Sequence, residues 1–393
     1  MGKRTSNFIS PTVWLYNDNN SYNITDVTMK FVSFLDFSTP FQGLELNLSM
    51  SSDKINEMQL GHFKEKYVVT LELFDSSQKS VIDTITYDMM PYKYDGYDIS
   101  ILSKHQNNND NHGTIDLTVY LINSNTVELF NTTSAIHVDK KYKDIFSKTI
   151  TDLGVPIKEK DEPHSKIKHE EFFCPTARKF DHMNYVLNKG FLNKDIGEIG
   201  TSIMTNDGLC VYRTEKSKDR KKLKTMIHPK TADAMKDFQD MFVTNFKLER
   251  NIQDKLNIGH KASFFTSHVK KSRYKAVDKK KADYGQKLML PKVFKESRSR
   301  TYEINDEYKQ ADFATSIDDA YRDLHHIKLT LNRWKKFEQL IPLRHILNVK
   351  FTSDLIKNNS GDYIIRSNRI VVERTGQEFT AKCELDLVLN LIK

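Results

Sequence analysis

The chain has 393 residues, with 60 Lys and Arg against 52 Asp and Glu and a formal net charge of +8. That length exceeds what a single core usually fills, so two or three domains are expected, and low Gly (14) and Pro (9) exclude a collagen-like or linker-dominated protein. No window approaches the roughly eighteen apolar residues of a spanning helix, and MGKRTSNFIS lacks the apolar centre of a leader, so no membrane anchor is expected.

From about Asn23 to His137 the pattern is β throughout. Val27, Met29, Phe31, Ser33, Leu35 and Phe37 alternate with other residues, and Leu44, Leu46 and Leu48 resume the alternation after Thr39-Pro40. Tyr67 to Phe74 and Val81 to Tyr87 flank the polar stretch DSSQKS and predict a hairpin. An Asn/Asp run from Asn107 to Asn111 marks a loop tip before a strand carrying Ile115, Leu117, Val119 and Leu121. A last strand is predicted over Thr126 to Phe130, continuing towards His137. About six or seven short strands of this kind make a small sandwich or barrel.

The period then lengthens. Tyr142, Ile145, Phe146, Ile150 and Leu153 keep helical spacing until Gly154 and Pro156. After the polar link KEKDEPHSK, a second helix carries Phe180, Met183, Val186 and Leu187. Ile203 and Met204 approach a TNDG turn and Leu209 to Tyr212 leave it, a hairpin whose Asp-Gly supplies the positive φ of a tight turn. Beyond Arg213 the chain is strongly basic. A helix is predicted from Ala232 to about Leu248, with Met235, Phe238, Met241 and Phe242 on one face, and another from Ile317 to Leu324. Three strands end the sequence. Leu347, Val349 and Phe351 alternate, DYIIRSNRIVVER follows Gly361, and after Gly376 the residues Phe379, Ala381, Cys383, Leu385, Leu387, Leu389 and Leu391 share one face. These closing strands are read as completing a second barrel begun near Ile203.

The order of these elements resembles the baseplate hub proteins of contractile-tailed phages, the T-even type tail hub family. The closing strands match that family's terminal unit at Gly361, Tyr363 and Ile365, and Phe180 to Tyr212 matches its helix plus hairpin. The resemblance implies a β-rich α+β chain with two tube-like antiparallel β-barrel modules and helices, into which this sequence places a basic insert. It divides the sequence into an N-terminal β-barrel module (1–138), a helix plus β-hairpin segment (139–212), a basic mixed insert (213–304), and C-terminal strands completing the second barrel (305–393). It further implies a homotrimeric ring that joins the tail tube protein to the central spike protein, contacts baseplate wedge proteins and lets genomic DNA pass. Such a subunit would be assembled in the host cytoplasm and reside in the virion. The basic insert departs from the family pattern.

The chemistry-bearing residues fit no enzyme. Neither a phosphate-cradling glycine loop, nor a nucleophile elbow, nor a His-Glu-x-x-His pair occurs, so no catalytic, cofactor or metal residue is assigned. Cys174, Cys210 and Cys383 are too far apart for a zinc pattern or a disulfide framework. Adjacent His325 and His326 would point apart on either a strand or a helix. The spacing of His164, His169, Glu170, Glu171 and Cys174 matches no zinc site. The most pointed polar feature is the zone from Lys270 to Arg300, with twelve Lys or Arg against three acidic residues. It suits an acidic protein partner, a solvated loop, or nucleic acid, and the last makes a nucleic-acid-binding protein the alternative reading. The candidate partner interface therefore comprises Lys270, Lys271, Arg273, Lys279, Lys280 and Lys281, together with Lys382, Glu384 and Asp386 on the polar face of the last strand.

Overall fold

The computed structural model describes residues 8–18, 20–36, 39–60, 65–74, 80–96, 114–163, 168–189, 200–213, 222–227, 241–249, 261–268, 273–280, 300–305, 326–351, 354 and 357–389. The alternation of the first third folds as β1 (Phe8–Asn17), β2 (Asn20–Asn23), β3 (Thr28–Asp36), β4 (Thr39–Ser51), β5 (Lys66–Phe74), β6 (Val81–Asp95) and β7 (Thr114–Asn123). A short helix, α1 (Ser52–Met58), follows β4. The Ser51 hydroxyl accepts the Lys54 N–H at its start, and Gln59 closes it in the left-handed conformation. On β5, Tyr67, Val69, Leu71 and Leu73 are all fully buried while their neighbours face outward. Strand β1 lies outside the stretch predicted as β. Its Pro11 sits opposite Leu71, between Phe8, which pairs across to Thr380, and the Trp14–Asn17 segment that pairs with β2. The ring therefore occupies a length of strand that neither β2 nor β21 pairs on that side.

A second unit follows: α2 (Thr126–Leu129), β8 (Thr132–Lys141), α3 (Tyr142–Asp152), β9 (Ile157–Lys160), β10 (Lys168–Arg178), α4 (Lys179–Lys189), β11 (Gly200–Thr205) and β12 (Gly208–Arg213). Thr126 to Leu129 is a single helical turn rather than the predicted strand. Both predicted helices of this region form, and Tyr142, Ile145, Phe146 and Ile150 of α3 pack against Met183, Val186 and Leu187 of α4. The Tyr142 hydroxyl donates to the Val186 carbonyl at 3.1 Å. The unit is pinned to the first strands by Asn123, which donates to the Thr205 carbonyl, and by Asn206, which donates to the Thr86 carbonyl, both at 3.2 Å. The Phe41 ring lies 5.1 Å from Phe130 and 5.2 Å from Phe180.

The remaining elements are β13 (Lys222–Ile227), β14 (Met241–Glu249), β15 (Lys261–His268), β16 (Arg273–Lys280), β17 (Arg300–Asn305), β18 (His326–Trp334), β19 (Ile346–Phe351), β20 (Gly361–Thr375) and β21 (Glu378–Leu389). Met241 to Glu249 is a strand, which corrects the helix expected through Leu248. Residues 228–240 and the predicted helix from Ile317 to Leu324 lie outside the described residues.

Strands β20 and β21 organise the whole. They pair with each other from Tyr363–Leu389 to Thr375–Glu378. Through Ser367 to Glu373, β20 pairs with β3, and β21 reaches β1 at Thr380, so the eight strands β20-β3-β4-β7-β6-β5-β1-β21 close an antiparallel barrel. The first half of β20, Gly361 to Ile364, pairs with β19, and β21 pairs with β18 from Cys383 to Val388. Six strands, β13-β19-β20-β21-β18-β14, thus form a second sheet on the same hairpin, with β13 joined to β19 in parallel. This sheet curls until its end strands β13 and β14 touch, and Phe246 of β14 lies 5.2 Å from Phe351 of β19 with the rings tilted. A register shift between Ile365 and Ser367 marks where β20 changes partner, the local bend that a bulge supplies.

One apolar core runs through both tubes, from Val13 and Leu71 to Leu385, Trp334 and Phe351. At eight strands a barrel is filled by its own side chains and is no channel. The β11–β12 hairpin, expected to begin the second barrel, instead forms a separate three-stranded sheet with β9. Ile203, Cys210 and Tyr212 of that sheet pack on Leu35 and Leu343, so it wedges against both barrel-forming parts.

Candidate assembly surface

Strand β21 alternates its side chains from Phe379 to Leu387. Phe379, Ala381, Cys383, Leu385 and Leu387 enter the core, and Lys382, Glu384 and Asp386 lie on the opposite, half-buried face. Burial pushes the Cys383 thiol far above its ordinary value, so this cysteine is a packing residue and not a nucleophile. The three polar residues belong to a ladder of charges that crosses β3, β20 and β21. Lys30 meets Glu373 at 2.8 Å, Arg369 and Lys382 each approach Glu384 at 3.6 Å, and His326 of β18 lies 3.6 Å from Asp386. The hydrogen bond from Lys30 holds the Glu373 carboxyl below the usual range, with the charges of Lys382 and Arg369 adding to it. Exposed pairs of this kind contribute about 0–1 kcal/mol each. Their value to the fold is small, whereas their alternating signs give the shared hairpin a patterned polar face.

The basic residues are placed elsewhere. Arg273, Lys279 and Lys280 stand on β16, opposite His268, Ala262 and Lys261 of β15, in a three-stranded sheet separate from β21. Lys270, Lys271 and Lys281 lie outside the described residues. The nine expected interface residues therefore do not form one surface from their pairing alone. Lys382, Glu384 and Asp386 share one ladder, and Arg273, Lys279 and Lys280 share one strand. Among the described residues no group of three His, Cys, Asp or Glu is placed to hold a metal ion.

An apolar surface escaped the sequence reading. Val127 and Phe130 of the α2 turn, and Ile136 and Val138 of β8, are exposed, the last two at 62% and 60%. Arg178 lies over the Phe130 ring at 5.9 Å. In the ladder with β10, Ile136 stands opposite Phe173 and Val138 opposite Glu171. Sheet β8–β10 has no further strand on either edge among the described residues. Large apolar side chains on an open-edged sheet are the usual mark of a contact surface. Ile136 and Val138 flank His137, so alternation alone would turn the apolar pair inward and the histidine outward, the reverse of the fold.

No protein-family model and no curated protein matches the sequence. Solved structures do resemble the fold. A tail protein from Neisseria meningitidis superposes with a TM-score of 0.61 at 10% identity, covering 98% of each chain. The 43 kDa tail protein of prophage MuSo2 from Shewanella oneidensis gives 0.54 at 10% identity over 97% of each chain. The Francisella PdpA-VgrG complex contains a chain that gives 0.51 at 10% identity, where 97% of the present chain covers 58% of the other. The present chain thus shares the fold of the first two of these tail proteins over nearly their full length.

Proposed function

We propose that this chain is a structural baseplate hub subunit of a contractile phage tail, forming a trimeric ring that joins the tail tube to the central spike. What carries the reading is the closed eight-stranded barrel fused to a second curled sheet through one hairpin, a fold similar to that of tail proteins over 97–98% of both chains. Two comparable β modules per chain let three chains present six to a sixfold tube, and cyclic closure of one repeated contact builds such a ring. In this reading the charge ladder of β20 and β21 and the apolar patch at Val127, Phe130, Ile136 and Val138 face neighbouring subunits, wedge proteins or the spike. The subunit does no covalent chemistry, resides in the virion and lets DNA pass through the ring.

The test is mass. By mass photometry the chain alone is expected at three times 45.8 kDa, and with its tail tube and spike proteins at that mass plus the bound partners'. A monomer at micromolar concentration under both conditions overturns the ring. Ile136→Asp, at a position 62% exposed, is expected to leave the folded monomer intact and weaken assembly at least tenfold, the roughly 1.4 kcal/mol minimum for a contact that matters.

A second reading rests on the basic zone from Lys270 to Arg300, of which Arg273, Lys275, Lys279 and Lys280 stand on β16. That zone would grip a polyanion. If the polyanion is DNA, affinity should fall steeply with salt, and Lys279→Glu with Lys280→Glu should remove most of it. A flat salt response excludes this reading.

A further inference from the structure

The inward side of β8 is built unusually. Of its ten residues His137 alone is buried, and its exposure is only 6%. A second histidine, His182 of α4, also 6% exposed, lies near enough for their charges to act on each other. Neither imidazole Nε2 has a hydrogen-bond partner among the described residues. A buried polar atom without a partner is costly, so two of them together in a core otherwise filled by Phe172, Val186 and Met183 need an explanation.

The groups around the pair are few. Helix α3 contributes Lys148 and Asp152, and β8 itself contributes Lys140. From β10 the Phe172 ring lies 6.3 Å from His137, and Cys174 stands opposite Ala135 in the ladder. On α4, Asp181 is taken by Arg178 at 2.7 Å. If both imidazoles took a proton, they would join Lys148 and Lys140 around Asp152, the one carboxylate that acts on them among the described residues. Sheet β8–β10 has no neighbouring strand among the described residues, so beyond its direct chain links to α3 and α4 and the Lys179 N–H bond to the Asn131 carbonyl, it is seated through this inner face.

We propose that His137 and His182 are an acid-operated latch: neutral, they seat the β8–β10 sheet on α3 and α4, and when both are protonated the sheet lifts from the helices. Desolvation holds both histidines below their ordinary value of 6.5, and the neighbouring lysine and histidine act in the same direction against Asp152. The sign follows from linkage. The unfolded histidines bind protons more readily than the folded ones, so stability is intact above 6.5. It is lost as pH falls from 6.5 through the lowered folded values. Release would bare Phe172 and Ala135 on the inner face and move the exposed Ile136 and Val138 with the strand.

Hydrogen exchange on the full chain tests this. Between about pH 7.5 and about pH 5, after correction for intrinsic exchange, protection of 132–141 and 168–178 should drop at least tenfold relative to 66–74 in β5. The double variant His137→Phe, His182→Leu should keep its protection at both values. Equal protection in the native chain, or a pH-dependent loss that persists in the double variant, overturns the latch. Should the variant fail to fold, imidazole NMR of the native chain decides: two of the 13 histidines must titrate below 6.5 in step with the loss of protection. All of them titrating at or above that value, with the sheet still protected, overturns it equally.

Discussion

Leu385→Ala is expected to lower the stability of the closed barrel and of the second, curled sheet at once, by about 2–5 kcal/mol. Leu385 is 1% exposed and stands at the middle of β21, where it pairs with Leu329 on one side and Asn368 on the other. Its side chain belongs to the single core that continues from one tube into the next. The chain offers a direct readout, because it has two tryptophans. Trp14 lies in β1 of the closed barrel and Trp334 in β18 of the second sheet. In urea, Trp14→Phe leaves Trp334 as the reporter for one module, and far-ultraviolet dichroism follows the whole. Coincident transitions that move together in Leu385→Ala are expected. Two separate transitions, with only one of them shifted, would show that the modules unfold independently. Lys382→Ala, three positions away and half-exposed, should stay within about 0.5 kcal/mol.

The second large effect is expected at a glycine. Gly208 leaves the β11–β12 turn at φ +133, and a Cβ there would sit 2.6 Å from the backbone oxygen of Pro156. That oxygen accepts the Leu209 N–H at 2.8 Å, which fixes how closely β9 and β12 approach. Gly208→Ala must therefore bear both a forbidden φ and a backbone clash, a combined cost of about 2–4 kcal/mol. Gly376 separates the two contributions. It has φ +68 in the β20–β21 turn, and a methyl added there would meet nothing within 4 Å. Gly376→Ala should cost only the conformational part, about 1–2 kcal/mol. Equal losses at the two sites in thermal or urea unfolding would mean that the Pro156 contact yields freely.

Local pattern made much of this fold legible. The stripe from Phe379 to Leu387 is buried as its alternation requires, and both helices of the second unit sit where their spacing puts them. Non-local pairing was not legible. Nothing in β21 announces that it touches β1, β18 and β20, since alternation fixes a face but names no neighbour. Met241 to Glu249 misled for a physical reason. Its ladder with β18 slips between Phe242 and Val243 and again between Val243 and Asn245, so the inward residues lose period two and imitate a helical face. Pro11 hid β1, and Val127, Leu129 and Phe130 gave a one-turn helix the composition of a strand. Of the interface residues, Lys382, Glu384 and Asp386 could be assigned to a polar face from spacing alone. The apolar patch on β8 could not, because exposure depends on what the fold leaves uncovered.

The shared hairpin also sets the order in which the protein can be made. Strands β1 to β7 leave the ribosome early, but the gap between β1 and β3 is filled only by residues 361–389. Until those are synthesised the nascent chain carries an open, curved sheet with two unsatisfied edges and an uncovered apolar interior, the kind of species that chaperones bind. Slow translation between residues 124 and 360 would prolong that exposure. The yield of soluble protein should therefore depend on elongation speed and on chaperone supply more than on the stability of the finished barrel.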